Sequence, residues 1–287
     1  MSNIVWLHVE CTTRCNAWCP FCPRNNQGFG LASHVKITDL NIKRLQQVVE
    51  DSPKLQNIQF CGNLGDPLAA KNFDKQLECV LNYDQIKKIT INTNGSLRTK
   101  HWWKNLAEKT KHINLEVWFA IDGTEQNHSY YRQGTSYNKI IKNADAFIQS
   151  GGKAIWQFIM FAHNKDDVVE CYNLSQEMNF ADFKVLKNIR SDKKSYHYKT
   201  GEELDIKNVG FDNSLETFAS DPSVTVFEKN CMHLAYPSMF LSAYGNLHPC
   251  CYVYNKPYTP EDIKHTFKTK KFYPKCLKHC GTQITSP

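Results

Sequence analysis

Three closely spaced cysteines follow the first hydrophobic segment of this 287-residue chain. Cys15, Cys19 and Cys22 have the spacing C-x3-C-x2-C and come soon after the β-branched run at residues 4–9. Three thiolates can hold three irons of a cubic [4Fe–4S] cluster and leave the fourth iron open for a small ligand. The alternatives are free buried thiols and a zinc site, which would need a fourth ligand such as Cys11. The spacing therefore predicts a metal centre, and a cluster there would keep one position open.

A second cysteine group lies near the end of the sequence and consists of Cys231, Cys250, Cys251, Cys276 and Cys280. The segment MFLSAYGNLHPCC between the first two is typical of a β-hairpin that turns at residues 244–246. Such a hairpin would carry Cys250 back towards Cys231, and four thiolates could close a second cluster. A four-cysteine zinc site is the alternative, which spacing alone leaves open.

The composition favours metal sites over disulfide bonds as the explanation for twelve cysteines. Disulfide scaffolds are small and secreted, whereas this chain is large, is 41% hydrophobic and begins with no pattern typical of a signal peptide. No apolar run is long enough to cross a bilayer. We therefore expect a cytoplasmic protein with no membrane partner and with metal-binding cysteines.

The net charge of +7 comes largely from residues 187–199 and from lysines between residues 264 and 278. Such an excess can attract an anionic partner, but runs of like charge are more often a solvated surface. No motif typical of nucleic-acid binding accompanies the charge. A nucleic-acid partner is therefore not expected.

Short β-like segments alternate with longer helical patterns over about the first 190 residues. The predicted strands are residues 4–9, 57–60, 88–92, 115–121, 154–161 and 182–186, and the predicted helices are residues 38–50, 73–81, 100–109, 137–149 and 166–178. This alternation predicts an α/β fold of parallel strands with right-handed crossovers, either a partial barrel or an open sheet. Ligands of such folds bind beyond the carboxyl ends of the strands.

The segment CNAWCPFCPRN resembles the signature C-x3-C-x-φ-C of the radical S-adenosylmethionine (SAM) superfamily, with Phe21 directly before Cys22. In that family the open iron chelates the amino and carboxylate groups of SAM. One electron then cleaves SAM to methionine and a 5′-deoxyadenosyl radical, which abstracts hydrogen from the substrate. The resemblance implies a [4Fe–4S] cluster and SAM as cofactors, and a reducing electron donor such as flavodoxin or ferredoxin.

Two turns that follow predicted strands extend the resemblance. Gly62, Gly65 and Asp66 belong to the segment CGNLGDP, which is similar to the glycine-rich motif that holds the SAM ammonium group in this family. Glycines allow close approach of the backbone to a ligand, and a carboxylate pairs with a cation. Asp66 stands where the family usually has Glu. Asn94, in the segment NTNG, is similar to the turn beside the SAM ribose.

The fourth predicted strand ends in Ala120, followed by Asp122 and later by Arg132. This arrangement is similar to the Ser-x-Asp-Gly…Arg pattern of one large subgroup, with alanine in place of serine. The resemblance implies that the planar guanidinium group of Arg132 pairs with the SAM carboxylate. A structural ion pair between Asp122 and Arg132 is the alternative.

The C-terminal cysteines resemble the SPASM/twitch extension of peptide-modifying radical SAM enzymes and some small-molecule dehydrogenases. Its C-x(9–15)-G-x4-C opening is matched from Cys231 through Gly245 to Cys250. The remaining cysteines are too few for two further clusters. We therefore predict one auxiliary [4Fe–4S] cluster, with Cys276 and Cys280 as its other ligands.

Cys251 is expected to lie outside this second cluster, because neighbouring residues on an extended strand point to opposite faces. It occupies the position of an aspartate base in sulfatase-maturing relatives. Three roles stay open for its thiol: hydrogen donation to a substrate radical, alternate cluster ligation and simple burial.

The resemblance implies a partial (β/α)6 barrel of the radical SAM type at residues 1–190. Residues 191–230 would form a connecting or substrate-facing segment, and residues 231–287 a small iron–sulfur domain that contains the β-hairpin. The predicted activity is radical modification of a peptide or protein side chain. The alternatives are oxidation or rearrangement of a small metabolite and, in a different class, a non-catalytic iron–sulfur or zinc protein.

Overall fold

The computed structural model describes residues 3–188, 194–208, 224–226 and 237–251. Its strands are β1 (Trp6–Val9), β2 (Asn57–Phe60), β3 (Lys88–Thr93), β4 (Asn114–Ala120), β5 (Lys153–Met160), β6 (Asp182–Lys187), β7 (Ser195–Tyr196), β8 (Glu203–Leu204), β9 (Val224–Val226), β10 (Ser238–Leu241) and β11 (Leu247–His248). Its α-helices are α1 (Ile42–Glu50), α2 (Phe73–Leu81), α3 (Lys100–Lys109), α4 (His128–Tyr131), α5 (Tyr137–Ile148) and α6 (Val168–Glu177).

The main sheet of the described residues has the strand order β11-β10-β1-β2-β3-β4-β5-β6-β9. The six strands β1 to β6 are parallel and adjacent in chain order, and helices connect most of them. This confirms the predicted α/β fold with a parallel sheet.

The predicted C-terminal hairpin is confirmed, and its first strand extends the main sheet. β10 lies parallel to β1, with Trp6 opposite Ser238, and β11 returns antiparallel to β10. The turn depends on Gly245, whose φ of 84° lies in the left-handed region that suits glycine. The backbone N–H of Gly245 donates to the carbonyl oxygen of Ser242 at 2.9 Å.

The centre of the sheet is buried because apolar side chains cover both of its faces. β4 reads NLEVWFA and β5 reads KAIWQFIM, and most of their residues are buried. Trp103 of α3 and Phe147 of α5 pack against Phe119 of β4, with ring centroids 5.0 and 6.4 Å apart. Near-continuous apolar strands of this kind are typical of parallel sheets that are covered by helices.

The first helix begins later than the sequence pattern predicts, at Ile42 rather than at residue 38. Thr38 and Asp39 instead pair with the loop that follows β1, where the Thr12 hydroxyl donates to the Thr38 carbonyl at 2.8 Å. Asn41 then caps the helix by accepting from the backbone N–H of Lys43. Tertiary contacts with the cysteine loop therefore set this helix boundary.

Candidate functional site

The three N-terminal cysteines lie in the loop between β1 and α1, at the carboxyl edge of the parallel strands. The backbone N–H of Cys22 donates to the carbonyl oxygen of Cys19 at 3.0 Å, which folds the loop tightly. Burial, then the charge of Asp66, then the thiolates of Cys19 and Cys22 raise the pKa of the Cys15 thiol well above its ordinary value. Three thiolates this close repel one another unless positive charge such as iron compensates them.

The apolar floor of the cysteine loop is a small hydrophobic cluster, separate from the main core. Phe21 belongs to it, with its ring centroid 6.0 Å from that of Tyr131 and 6.1 Å from that of Phe161. The side chains of Cys15, Cys19 and Cys22 pack in or against the same cluster. Phe21 therefore supports the shape of the loop from below.

Cys11 lies in a different apolar cluster from the three cysteines of the loop. Cys11, the fourth ligand that zinc would need, is packed in the main core with an exposed fraction of 1%.

Several N–H groups point at the cysteine sulfur atoms. The Asn94 side-chain amide lies 3.8 Å from Cys15 Sγ, and the backbone N–H of Ala17 lies 3.3 Å from it. Arg132 Nη1 lies 3.9 Å from Cys19 Sγ. Hydrogen bonds to sulfur stabilise a thiolate and tune an iron–sulfur cluster, so these residues fit the group that the cysteines imply.

Asn94 also fixes the turn after β3 against the cysteine loop. Its side-chain amide donates to the side-chain oxygen of Asn16 at 2.9 Å. Its own oxygen accepts from the backbone and the hydroxyl of Ser96 at 3.0 and 2.7 Å. The side chain predicted to lie near the SAM ribose is therefore buried as a structural link at the site.

The glycine-rich loop after β2 packs directly on the backbone of the cysteine loop. A Cβ atom on Gly65 would clash with the carbonyl oxygen of Thr12, and a Cβ atom on Gly62 would clash with the carbonyl of Gly65. The backbone N–H of Asp66 donates to the Arg14 carbonyl at 2.8 Å. Close backbone approach explains why glycine stands at both positions.

We expect Gly65→Ala to lower both cluster incorporation and thermal stability, because backbone atoms of the cysteine loop leave no room for a methyl group. Gly30→Ala is the matched control, since nothing lies within 4 Å of its added Cβ, although its φ of 79° makes alanine mildly strained. Iron content per chain and the melting temperature measure the difference. Equal behaviour of the two variants would contradict the close-packing explanation.

Asp66 is buried and accepts hydrogen bonds at both carboxylate oxygens. The Thr93 hydroxyl donates to both oxygens at 2.9 and 3.0 Å, the Asn94 backbone N–H donates at 2.7 Å and the Leu68 backbone N–H at 3.0 Å. Burial raises the pKa of Asp66, and these hydrogen bonds oppose the shift. The carboxylate thus ties the turn after β2 to the turn after β3, and its contact with SAM stays a prediction.

Asp122 and Arg132 form a buried ion pair at the end of β4. Arg132 Nε donates to one carboxylate oxygen at 2.5 Å, and the Ile159 backbone N–H donates to the other at 2.7 Å. Another nitrogen of the same guanidinium group, Nη1, is the one that lies 3.9 Å from Cys19 Sγ. The structural ion pair that the sequence left open is therefore present, and it connects directly to a cysteine of the loop.

A model of the radical SAM superfamily matches residues 9–174 of the sequence. The chain belongs to the radical SAM superfamily. It is therefore an enzyme, and its family implies a [4Fe–4S] cluster and SAM at the cysteine loop. The loop, the glycine-rich turn and the two buried acids lie within the matched residues.

Curated relatives of this radical SAM enzyme match only part of its length. GTP 3′,8-cyclase of Clostridium botulinum is 27% identical over 181 residues, which are 61% of this chain and 54% of that protein. An uncharacterized protein of Methanocaldococcus jannaschii is 30% identical over 127 residues, which are 42% of this chain and 40% of that protein. The chain spans about half the length of the curated relatives it matches.

Solved structures match nearly the whole radical SAM chain at the level of fold. SuiB of Streptococcus suis, solved also with SAM and with the precursor peptide SuiA, has a TM-score of 0.65 and 17% identity for its SAM-bound form. That match covers 99% of this chain and 69% of SuiB. Native anSMEcpe with bound AdoMet has a TM-score of 0.63 and 18% identity, and the match covers 96% of this chain and 88% of that one.

Glu10 is a site residue of the radical SAM enzyme that the sequence analysis missed. One of its carboxylate oxygens accepts the backbone N–H groups of Asn63 and Leu64 at 2.8 and 2.7 Å. Its other oxygen lies 3.4 Å from the backbone N–H of Ala243 in the C-terminal hairpin. The available signal was an acidic residue directly after a buried strand, where parallel α/β proteins place their ligand sites.

Burial raises the pKa of Glu10 to about 7, although its backbone hydrogen bonds oppose the shift. A carboxyl group with a raised folded-state pKa stabilises the fold at low pH and loses that contribution as pH rises through the folded value. When the pH rises from about 5 to 8, we expect the free energy of unfolding of the wild type to fall by about 2–3 kcal/mol more than that of Glu10→Gln. Urea denaturation of both proteins at the two pH values measures it; a constant difference would refute the assignment.

Asn63 joins the glycine-rich loop to both cysteine groups of the enzyme. Its side-chain amide donates to the carbonyl oxygen of Cys251 at 2.5 Å. Its backbone carbonyl oxygen lies 3.8 Å from Cys22 Sγ. Cys250 is buried and Cys251 is half-buried. The structure therefore brings Cys250 and Cys251 to the vicinity of the N-terminal cysteines.

Cys250 and Cys251 do not lie on the extended strand that the sequence pattern predicts for them. Strand β11 ends at His248, and the two cysteines follow it after a bend at Pro249, with Cys251 in a turn. Alternation across a strand therefore does not decide which of them is a ligand. Cys231, Cys276 and Cys280, the other predicted ligands, lie outside the described residues.

A two-stranded hairpin formed by β7 and β8 packs on the cysteine loop, and the sequence analysis assigned no structure to it. The backbone N–H of Tyr196 donates to the Gln27 carbonyl at 2.8 Å, and Tyr198 stacks on Trp18 at 6.2 Å. Ile206, just beyond, joins the apolar cluster under the loop.

Within the described residues, no helix is long and apolar enough to cross a membrane.

Proposed function

We propose that this radical SAM enzyme removes a hydrogen atom from a peptide or protein side chain and carries one auxiliary cluster. The observation that carries this proposal is the link that Asn63 makes between Cys22 and Cys251. The hairpin that precedes Cys250 and Cys251 lies beside β1, and the Asn63 side chain donates to the Cys251 carbonyl while the Asn63 backbone carbonyl lies 3.8 Å from Cys22 Sγ. A second cluster held at Cys250 would therefore lie near the first cluster site.

Each residue of the first site has a defined task in this proposal. Cys15, Cys19 and Cys22 would hold the cluster, whose chemistry when bound would be to supply one electron for the reductive cleavage of SAM. Asp66 is proposed to pair with the SAM ammonium group, and Arg132 with the SAM carboxylate. Hydrogen bonds occupy both carboxylate oxygens of Asp66. They support a second task for this residue, which is to hold the turns after β2 and β3 at a fixed separation.

We assign the auxiliary [4Fe–4S] cluster to Cys231, Cys250, Cys276 and Cys280 in a twitch-like domain at residues 231–287. In this assignment residues 1–190 would form the radical SAM core, and residues 191–230 would be a connecting or substrate-facing segment. The contact of β7 and β8 with the cysteine loop supports this role for the middle segment. Cys251 is the proposed hydrogen donor to the substrate radical, because it is half-buried next to the first cluster site.

Iron analysis of two adjacent variants tests the auxiliary cluster. Anaerobically reconstituted wild type should hold about eight irons, four for each cluster. Cys250→Ala should lose about half of them, whereas Cys251→Ala should keep all of them. If Cys251→Ala loses the iron and Cys250→Ala keeps it, the ligand assignment is wrong by one residue; if both variants and the wild type hold about four irons, there is no second cluster.

A nucleotide is the second candidate substrate, because GTP appears in the name of the curated relatives that match 61% of the chain. The peptide assignment rests on the wider match to enzymes solved with peptides. The two are separated by incubating the reduced enzyme and SAM with peptides or with GTP and measuring 5′-deoxyadenosine. Stimulation by a peptide together with a mass change of that peptide supports the proposal, and stimulation by GTP alone refutes it.

A further inference from the structure

Three amide side chains, the amide row, interrupt one of the two apolar faces of the parallel sheet. Gln59 lies on β2, Asn92 on β3 and Gln157 on β5, and the strand registers place all three on the same face. Each of them is half-buried, whereas Ile58 and Phe158, on the face that the helices cover, are at most 1% exposed. Side chains alternate between the two faces of a strand, so the pattern that builds the core also brings these amides together.

Hydrogen bonds join the amide row into one directed chain. Gln59 donates to the side-chain oxygen of Asn92 at 2.9 Å, and Asn92 donates to the side-chain oxygen of Gln157 at 3.4 Å. The chain ends in an acceptor, the side-chain oxygen of Gln59, and in a donor, the side-chain N–H groups of Gln157. Neither end has a hydrogen bond among the described residues. The row can therefore bind a ligand that offers both a donor and an acceptor.

An indole group adds a further donor beside the amide row. Trp118 of β4 lies opposite Asn92 in the sheet register. Its Nε1–H is buried, and it has no hydrogen-bond partner in the part of the chain that the structure describes. Buried polar groups are nearly always hydrogen-bonded, so this donor points to an acceptor that a ligand supplies.

The described lysines of this face are all paired with acids. Lys184 Nζ lies 2.6 Å from Asp182, and Glu116 pairs with Lys88 at 2.9 Å and with Lys153 at 2.7 Å. A nucleoside triphosphate would need unpaired cations, whereas a neutral amide needs none. The charge pattern of this face therefore favours a peptide backbone over a nucleotide.

The ends of the amide row are too far apart for a single small group to bind both. Gln59 and Gln157 lie on β2 and β5, which are three strand spacings apart, or roughly 14 Å. An extended peptide advances about 3.3–3.6 Å per residue, so about four residues would span this distance. Each residue of such a segment presents one N–H and one C=O group, which are the groups that the two ends of the row can bind.

The amide row lies one layer below the cluster site on the same strands. Asn92 precedes Asn94 by two residues, and the Asn94 side chain lies 3.8 Å from Cys15 Sγ. Gln157 likewise precedes Ile159 by two residues, and the Ile159 backbone N–H bonds to the buried acid at the end of β4. Two residues of a strand span roughly 7 Å. A segment bound to the row would therefore lie about two residue lengths from the cluster site.

We propose that the amide row binds the backbone of an extended segment of about four residues in the substrate peptide. The inference rests on the proposed function, which supplies the peptide, and it adds the residues that position this peptide. Gln157 donates to a backbone carbonyl oxygen of the peptide, Gln59 accepts from a backbone N–H, and Trp118 offers a further donor. These are positioning residues, and no covalent bond changes at the row.

The test uses a library of tetrapeptides with acetylated N-termini and amidated C-termini. Members that bind the cluster-loaded enzyme are identified by mass spectrometry, and their Kd is measured by calorimetry. Gln157→Met keeps the length of the side chain and removes its amide, so we expect it to raise the Kd about tenfold. Gln46→Met makes the same change on the exposed surface of α1 and should match the wild type.

An analogue with ester links in place of the backbone amides gives a readout that a merely structural role would not change. The ester lacks the N–H groups that pair with Gln59, so the wild type should bind it about tenfold more weakly than the peptide. Gln59→Met should lose most of this preference. Iron content and melting temperature show whether each variant keeps its cluster and its fold.

Four results would overturn the assignment: no tetrapeptide bound by the wild type, unchanged affinity in Gln157→Met, an equal loss in Gln46→Met, or a full preference for the amide in Gln59→Met. Binding of GTP that Gln157→Met weakens would also overturn it, because the row would then bind a nucleotide. The proposed function is judged on the wild type alone. If the wild type modifies no peptide and acts only on GTP, that function fails; if it modifies a peptide and the variants behave like the wild type, only the amide row fails.

Discussion

Replacing Cys15, Cys19 and Cys22 together with alanine should remove about half of the iron and abolish SAM cleavage. The remaining iron, about four atoms per chain, would belong to the auxiliary cluster. Loss of activity should be complete because the open iron and the electron are supplied only at the first site. Iron and sulfide analysis together with chromatography of 5′-deoxyadenosine measure the two effects.

Cys79→Ala is the matched control for this variant. Cys79 lies on α2, is half-buried and packs against the main core away from the loop. Its loss should leave the iron content and the cleavage rate close to those of the wild type. A triple cysteine variant that keeps all of its iron would contradict the assignment of the first cluster.

Removing one partner of the buried pair between Asp122 and Arg132 should have the largest effect on stability. Arg132→Ala leaves a fully buried carboxylate without its cation, and breaking a buried pair in this way costs about 3–5 kcal/mol. Chemical denaturation followed by circular dichroism measures the loss. Glu78→Ala is the control: it breaks the exposed pair with Lys109 and should leave the free energy of unfolding nearly unchanged.

The same variants separate the two roles of Arg132. If the guanidinium group also faces the SAM carboxylate, the folded fraction of Arg132→Ala should bind SAM more weakly, and Arg132→Lys should restore only part of the affinity. A purely structural role predicts a stability loss with unchanged SAM affinity. Equilibrium dialysis against labelled SAM distinguishes these results.

Much of the fold could be predicted because local patterns determine it. β2, α2 and α3 have the predicted bounds, and the other predicted helices and strands differ by a few residues at their ends. The differences arise where long-range contacts override local preference. Thr38 and Asp39, for example, continue a helical pattern but pair with the loop after β1.

The site could be predicted only where a motif marks it. The cysteine spacing and the turns after β2, β3 and β4 led to residues that the fold brings to one edge of the sheet. Glu10 lies outside every motif, and Asn63 stands inside the glycine-rich segment at a position that the motif does not specify. Their importance arises from contacts with Ala243 and Cys251 about 190 to 230 residues away in the chain. No local pattern indicates that β10 will pair with β1, so the position of the hairpin required the structure.

The most direct test of SAM cleavage at the cysteine loop is the reaction of the reduced, reconstituted protein with SAM. We expect slow formation of 5′-deoxyadenosine and methionine in equal amounts without substrate, and none in the variant that lacks Cys15, Cys19 and Cys22. A protein that purifies with tightly bound zinc, takes up no iron and forms no 5′-deoxyadenosine under strong reductant would contradict it.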